Sequence, residues 1–174
     1  MNALGGWTPS YEVAAQLTQR ARAGTLPDIT VLPSQRREGE DFYSESDSQA
    51  LKVPHDAMTK IGFLDGEGDR RFLAEYSADV AMQLALAWSA ELGSAGLLGL
   101  VKYVIQRARA AGLAGTLSDG AALEINVARI TKSGDDIEIE GLQITAREDE
   151  VAKFLVRALA SHDVANTVLE KLNE

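Results

Sequence analysis

Residues 122–145 read ALEINVARITKSGDDIEIEGLQIT. Leu123, Ile125 and Val127 alternate with Glu124 and Asn126, the period-two pattern of a strand with one face turned inward. KSGD at 132–135 supplies a turn, and on the return Ile137 and Ile139 alternate with Asp136, Glu138 and Glu140. The expectation is an antiparallel hairpin with the aliphatic side chains inward and the acids outward. Leu142 and Ile144 continue the alternation only after a one-residue slip, so Gly141 is expected to mark a bulge. Thr145 and Glu148 have the capping-box spacing ahead of VAKFLVRALA, where Val151, Phe154, Leu155 and Ala158 form a stripe. Ser161 stands where it would cap a last helix carrying Val164, Val168, Leu169 and Leu172. The C-terminal third therefore predicts a ββαα unit.

Upstream, SADVAMQLALAWSAELG (77–93) and SAGLLGLVKYVIQRARAAG (94–112) predict two helices, with Ser77 and Ser94 as N-caps and Gly93 and Gly112 closing them. KIGFLDGEGDRRFLAEY (60–76) predicts a second hairpin, Ile61 and Phe63 alternating in and Phe72, Ala74 and Tyr76 alternating out. ALKV (50–53) suits a strand. SQRREGEDFYSESDSQ (34–49) is polar apart from the Phe42–Tyr43 pair and predicts a surface loop. DITVL (28–32) predicts a short strand between Pro27 and Pro33. TPSYEVAAQLTQRARAG (8–24) predicts an amphipathic helix with Thr8 as N-cap, Pro9 at the first helical position and Gly24 closing it. The fold class is thus α+β: antiparallel hairpins packed on a buried helical hairpin, with the C-terminal ββαα unit. One domain over 1–174 is expected; the alternative divides the chain into 1–76 and 77–174.

The chain has no cysteine, which excludes disulfides, zinc–thiolate sites and thiol nucleophiles. MNALGGWTPS lacks the basic start and apolar core of a signal peptide, so a cytoplasmic location is expected. Arginine-over-lysine usage and abundant alanine fit a GC-rich bacterial or phage genome. A net charge of −9 disfavours binding to a nucleic-acid backbone or an anionic membrane. The signs are unevenly spread: Leu92–Ser118 holds no acid, whereas Asp119–Glu150 is rich in them.

Four motifs bear on chemistry. Gly93, Gly96 and Gly99 have the spacing of a phosphate cradle, but no strand is expected before them and no Lys-Ser/Thr pair follows. DGEGDRRF (65–72) resembles the start of a calcium loop, yet Arg70 and Tyr76 occupy the positions that need glycine and glutamate. His55–Asp56 and His162–Asp163 contain the only histidines, too few for a metal-dependent phosphohydrolase of the HD type. Lys102, Arg107 and Arg109, with Tyr103 beside them, form no recognised nucleic-acid reader and suit a solvated helix face.

Accordingly, no cofactor, metal or catalytic residue is assigned. The leading expectation is a non-enzymatic protein-interaction module: an inhibitor, an immunity or antitoxin-like factor, or an adaptor. Its partner is expected to be a protein with a basic surface. Glu124, Asp136, Glu138 and Glu140 on the hairpin, and Phe42 and Tyr43 in the loop, are the candidate contact residues. The first alternative is a membrane-active protein using the helical hairpin at 78–111, where Val80–Val101 carries one charge, Glu91. The second is an enzyme with carboxylate chemistry. Apolar surface on the hairpin helices would also serve a homodimer.

Overall fold

The structure, a computed structural model, describes residues 3–52, 60–73, 82–88, 93–113, 122–147, 150–159 and 170. Among the described residues it is mixed α+β, with a six-stranded sheet, a three-stranded sheet and the four helices α1 to α4. The hairpin at 122–145 is its longest piece of sheet. Strand β8 (Ala122–Ser133) pairs antiparallel with β9 (Asp136–Arg147) at every position. A two-residue turn joins them, with Gly134 at φ +63°, the first-position glycine of a type II′ turn. Strand β1 (Ala3–Gly6) lies antiparallel on the far side of β9. On the near side β8 is followed by β7 (Met82–Trp88), parallel, then by β2 (Ile29–Val31), antiparallel, and β5 (Ile61–Phe63), parallel. The order β1-β9-β8-β7-β2-β5 therefore mixes strands from both sides of residue 76.

Both faces of this sheet are covered. Helix α1 (Tyr11–Ala23) buries Val13, Leu17 and Ala21 against Ala85, Ala128 and Ile130. On the opposite face, α3 (Gly93–Leu113) and α4 (Val151–Leu159) cover Ile29, Leu84, Leu86, Ile125, Val127 and Ile144. The second, smaller sheet contains β3 (Gln35–Arg37), β4 (Glu40–Ser44) and β6 (Arg71–Leu73), with α2 (Glu45–Lys52) following β4 and packing on α3.

Several expectations are corrected. The helical hairpin does not form, because 82–88 is strand β7 in the centre of the sheet; 74–81 and 89–92 lie outside the described residues. Met82, Leu84 and Leu86 face α3 while Ala85 faces α1, so burial on both sides erased the alternation that marks a strand. Gly93 opens α3, and Gly112 lies inside it. The polar stretch at 34–49 is the β3–β4 hairpin and most of α2; Glu38 and Gly39, both at positive φ, make the two-residue turn. Residues 50–52 of ALKV are helical. The 60–76 segment is no hairpin, since β5 joins the large sheet and β6 the small one. Helix α1 is capped by Ser10, whose Oγ accepts the Val13 N–H, two residues after Thr8, so Pro9 lies ahead of the helix.

Gly141 is not a bulge. The β8–β9 register runs through it unbroken, Ala128 opposite Gly141 and Val127 opposite Leu142. What changes there is the face that is apolar: Ile137 and Ile139 pack toward α1, whereas Leu142 and Ile144 pack toward α3 and α4. Glycine is needed because the backbone of Trp7 crosses at this point; an added Cβ would collide with the Trp7 carbonyl oxygen. Asn126, expected outside, is buried on the α1 face. Thr145 lies in β9 and so cannot cap α4, and Glu148 is outside the described residues. The expected last helix also falls outside them, apart from Glu170, which is helical.

Candidate functional site

Asp136, Glu138 and Glu140 are exposed and alternate along one face of β9, the face that carries Leu142 and Ile144 further on. Opposite them on β8 stand Ser133, Thr131 and Arg129. Arg129 reaches Glu140 at 3.5 Å, an ion pair with both side chains well exposed. Such a pair contributes at most about 1 kcal/mol. The strip is therefore acidic at the turn end and neutralised at its inner end.

Glu124 does not join this strip. It sits on the other face of the sheet and toward the other end of β8, where the Gln143 amide donates to it (3.0 Å) and to Asn126 Oδ1 (3.1 Å). Phe42 and Tyr43 are in β4 of the small sheet, with Phe42 half-buried and Tyr43 wholly buried. The six sequence-selected residues thus fall into three places, and only the β9 acids share one surface.

Tyr43 leads to a cluster that sequence reasoning missed. Its ring packs edge-on against Phe63 at 4.9 Å and lies 6.1 Å from Phe72. Its hydroxyl donates to Asp65 Oδ2 at 2.8 Å and accepts the Asp65 N–H at 3.1 Å. Burial above all drives the phenol well above its usual range, and the Asp65 carboxylate adds to the effect. Beside it, the Asp41 carboxyl is only 8% exposed and lies close enough to Asp65 to feel its charge. Desolvation, then the neighbouring Asp65 carboxyl, push Asp41 up to about 6, against the pull of Arg36 at 3.5 Å. The Asp41 carboxyl therefore keeps its proton into the weakly acidic range. Asp65 lies in the segment that imitates a calcium loop, but its oxygens are engaged by Tyr43 and, through the backbone carbonyl, by Arg70 Nε at 2.9 Å. Among the described residues no three acids or histidines are grouped as metal ligands. No sequence signal joins Asp41 to Asp65; the isolated Phe42–Tyr43 pair marks only that something in 34–49 is buried.

The basic helix face is also reassigned. Arg107 and Tyr103 are buried, and both bind Asp47 Oδ1 of α2, at 2.8 and 2.7 Å. Only Lys102 and Arg109 of the four residues face solvent. The glycine triplet opens α3 and follows strand β7, so the stated lack of a preceding strand is corrected, while the Lys-Ser/Thr pair is still missing. Among the described residues no helix is long and apolar enough to cross a membrane. A shallow hollow of about 270 Å³ beside α1 is lined in part by Arg20, whose guanidinium is occupied by the carbonyls of Thr25, Phe63 and Leu64. Both histidines lie outside the described residues.

No protein-family model matches the chain, and no match is found among curated proteins or solved structures.

Proposed function

We propose that the protein is a non-catalytic binding module that docks a basic surface of another protein onto the acidic face of β9. The supporting observation is the alignment of Asp136, Glu138 and Glu140 on one exposed strand face, with Arg129 paired to Glu140. Fixed on a strand and spaced two residues apart, the carboxylates keep a defined geometry, which favours charge-steered docking in one orientation. A role as inhibitor, immunity-like factor or adaptor in the cytoplasm of a bacterium or infected bacterium suits such a surface.

The test is a photo-crosslinking residue at position 138, used to recover the partner in cells, followed by affinity measurement with the triple variant D136K/E138K/E140K. The variant should bind at least about tenfold more weakly, chiefly through a slower and less salt-sensitive association. Equal affinity for the wild type and the triple variant would remove the acidic face from consideration. A Glu45→Lys variant, altered on an exposed acid of α2, is the control and should bind normally.

A further inference from the structure

Strand β9 is paired along its whole length by β8, but on its other edge β1 reaches only from Leu142 to Thr145. Past Gly6 the chain leaves the edge, crossing Gly141 at Trp7 and entering the α1 side of the core. Residues 136–140 consequently have no strand on their outer edge among the described residues. The two-residue turn fixes which backbone groups face outward. Ser133 and Asp136 flank the turn and exchange hydrogen bonds, so Asp136, Glu138 and Glu140 direct their backbone groups toward β8. The N–H and C=O groups of Ile137 and Ile139 therefore point away from the sheet, as a ready template for another strand. On that same edge the side chains alternate: acids project to one face, and half-buried isoleucines to the other.

Resting on the proposed acidic docking face, we infer that the partner supplies an extended basic segment that adds to the sheet as a further strand along residues 136–140. Charge and pattern specify it. Residues paired across from Asp136, Glu138 and Glu140 lie within about 5.5 Å at Cβ, where opposite charges attract. The alternate residues fall beside Ile137 and Ile139 and are apolar. The segment thus reads basic-apolar-basic-apolar-basic, with main-chain hydrogen bonds giving affinity and the carboxylates giving selectivity.

The test uses the intact protein and a synthetic peptide, Lys-Val-Lys-Val-Lys-Val-Lys, blocked at both ends. Two controls carry the same side chains, one N-methylated on every valine and the other on every lysine. Titration by fluorescence anisotropy should show binding of the parent peptide and a loss of about tenfold or more for one control. The valine control fails if the added strand is antiparallel, the lysine control if it is parallel. Amide exchange at Ile137 and Ile139 should slow when the parent peptide is bound. If both controls bind like the parent while D136K/E138K/E140K abolishes binding, the acidic face stands and strand addition is overturned. If the triple variant binds the parent unchanged, the acidic face itself is wrong. If the parent peptide does not bind, the inference fails and the acids serve to keep this edge unpaired.

Discussion

The Asp41–Asp65 carboxyl pair predicts a pH dependence of stability that runs against the usual carboxylate trend. Folding raises the Asp41 carboxyl from 3.8 to about 6. At about 1.4 kcal/mol per unit, that rise corresponds to about 3 kcal/mol of preference for the protonated form. Asp41 is 8% exposed, so solvent screens little of this, and 3 kcal/mol is a ceiling. Below pH 4 the carboxyl is protonated in folded and unfolded chains alike. Between about pH 4 and 6 the folded protein retains a proton that the unfolded chain has released, so stability falls as pH rises; above 6 the loss is complete. Asp41→Asn cannot titrate and removes the effect. In urea denaturation from pH 4 to 8, wild type should lose up to about 3 kcal/mol relative to the variant as pH rises. Asp65→Asn removes the neighbouring charge and should shrink the pH dependence without abolishing it, because burial of Asp41 is its largest cause. A wild-type-minus-variant difference that stays constant from pH 4 to 7, or grows in favour of wild type, refutes the raised Asp41 pKa.

Three further perturbations address the fold that carries the site. Gly141→Ala drives a methyl group into the Trp7 carbonyl, a backbone atom that no rotamer change can clear, and should cost about 2–4 kcal/mol in chemical denaturation and speed amide exchange in β1. Asp47→Ala takes the carboxylate from beside the Arg107 guanidinium, 2% exposed, and should cost about 3–5 kcal/mol, while the double change Asp47→Leu with Arg107→Met should recover most of it. Ser10→Ala should lower stability by about 1 kcal/mol, whereas Thr8→Ala should leave it unchanged, because only the Ser10 hydroxyl accepts a helix N–H.

The parts of the fold legible in the sequence are those where one sheet face differs from the other. Helix α1 keeps its stripe of Val13, Leu17 and Ala21 because its far side meets water, and the β8–β9 turn is written in KSGD. Where both faces are covered, the period disappears. MQLALAW in β7 reads as a run of apolar residues, and alanine at 85 serves the α1 face as well as it would a helix. The converse failure is at 34–49, where the β3–β4 hairpin exposes so much charge that it resembles a loop. Its one firm signal is Gly39, placed where a two-residue turn needs positive φ. The polar cluster was beyond sequence reading for a different reason: Asp41 and Asp65 meet only because β4 and the end of β5 are brought together by two sheets, and no local pattern encodes that contact.

The apparent slip at Gly141 links the fold to the proposed site. With the register unbroken, the switch from Ile137/Ile139 to Leu142/Ile144 means that β9 presents its apolar side to α1 at one end and to α3 and α4 at the other. The acids occupy the face toward α3 and α4 only beyond the stretch where those helices bury it, and β1 stops at the same boundary because Trp7 must cross over Gly141. One residue without a side chain therefore sets where the strand ceases to be core and becomes an open, negatively charged edge. Filling that position should disturb β1 and the acidic strip together, whereas a bulge at Gly141 would have left the β1 pairing independent of it.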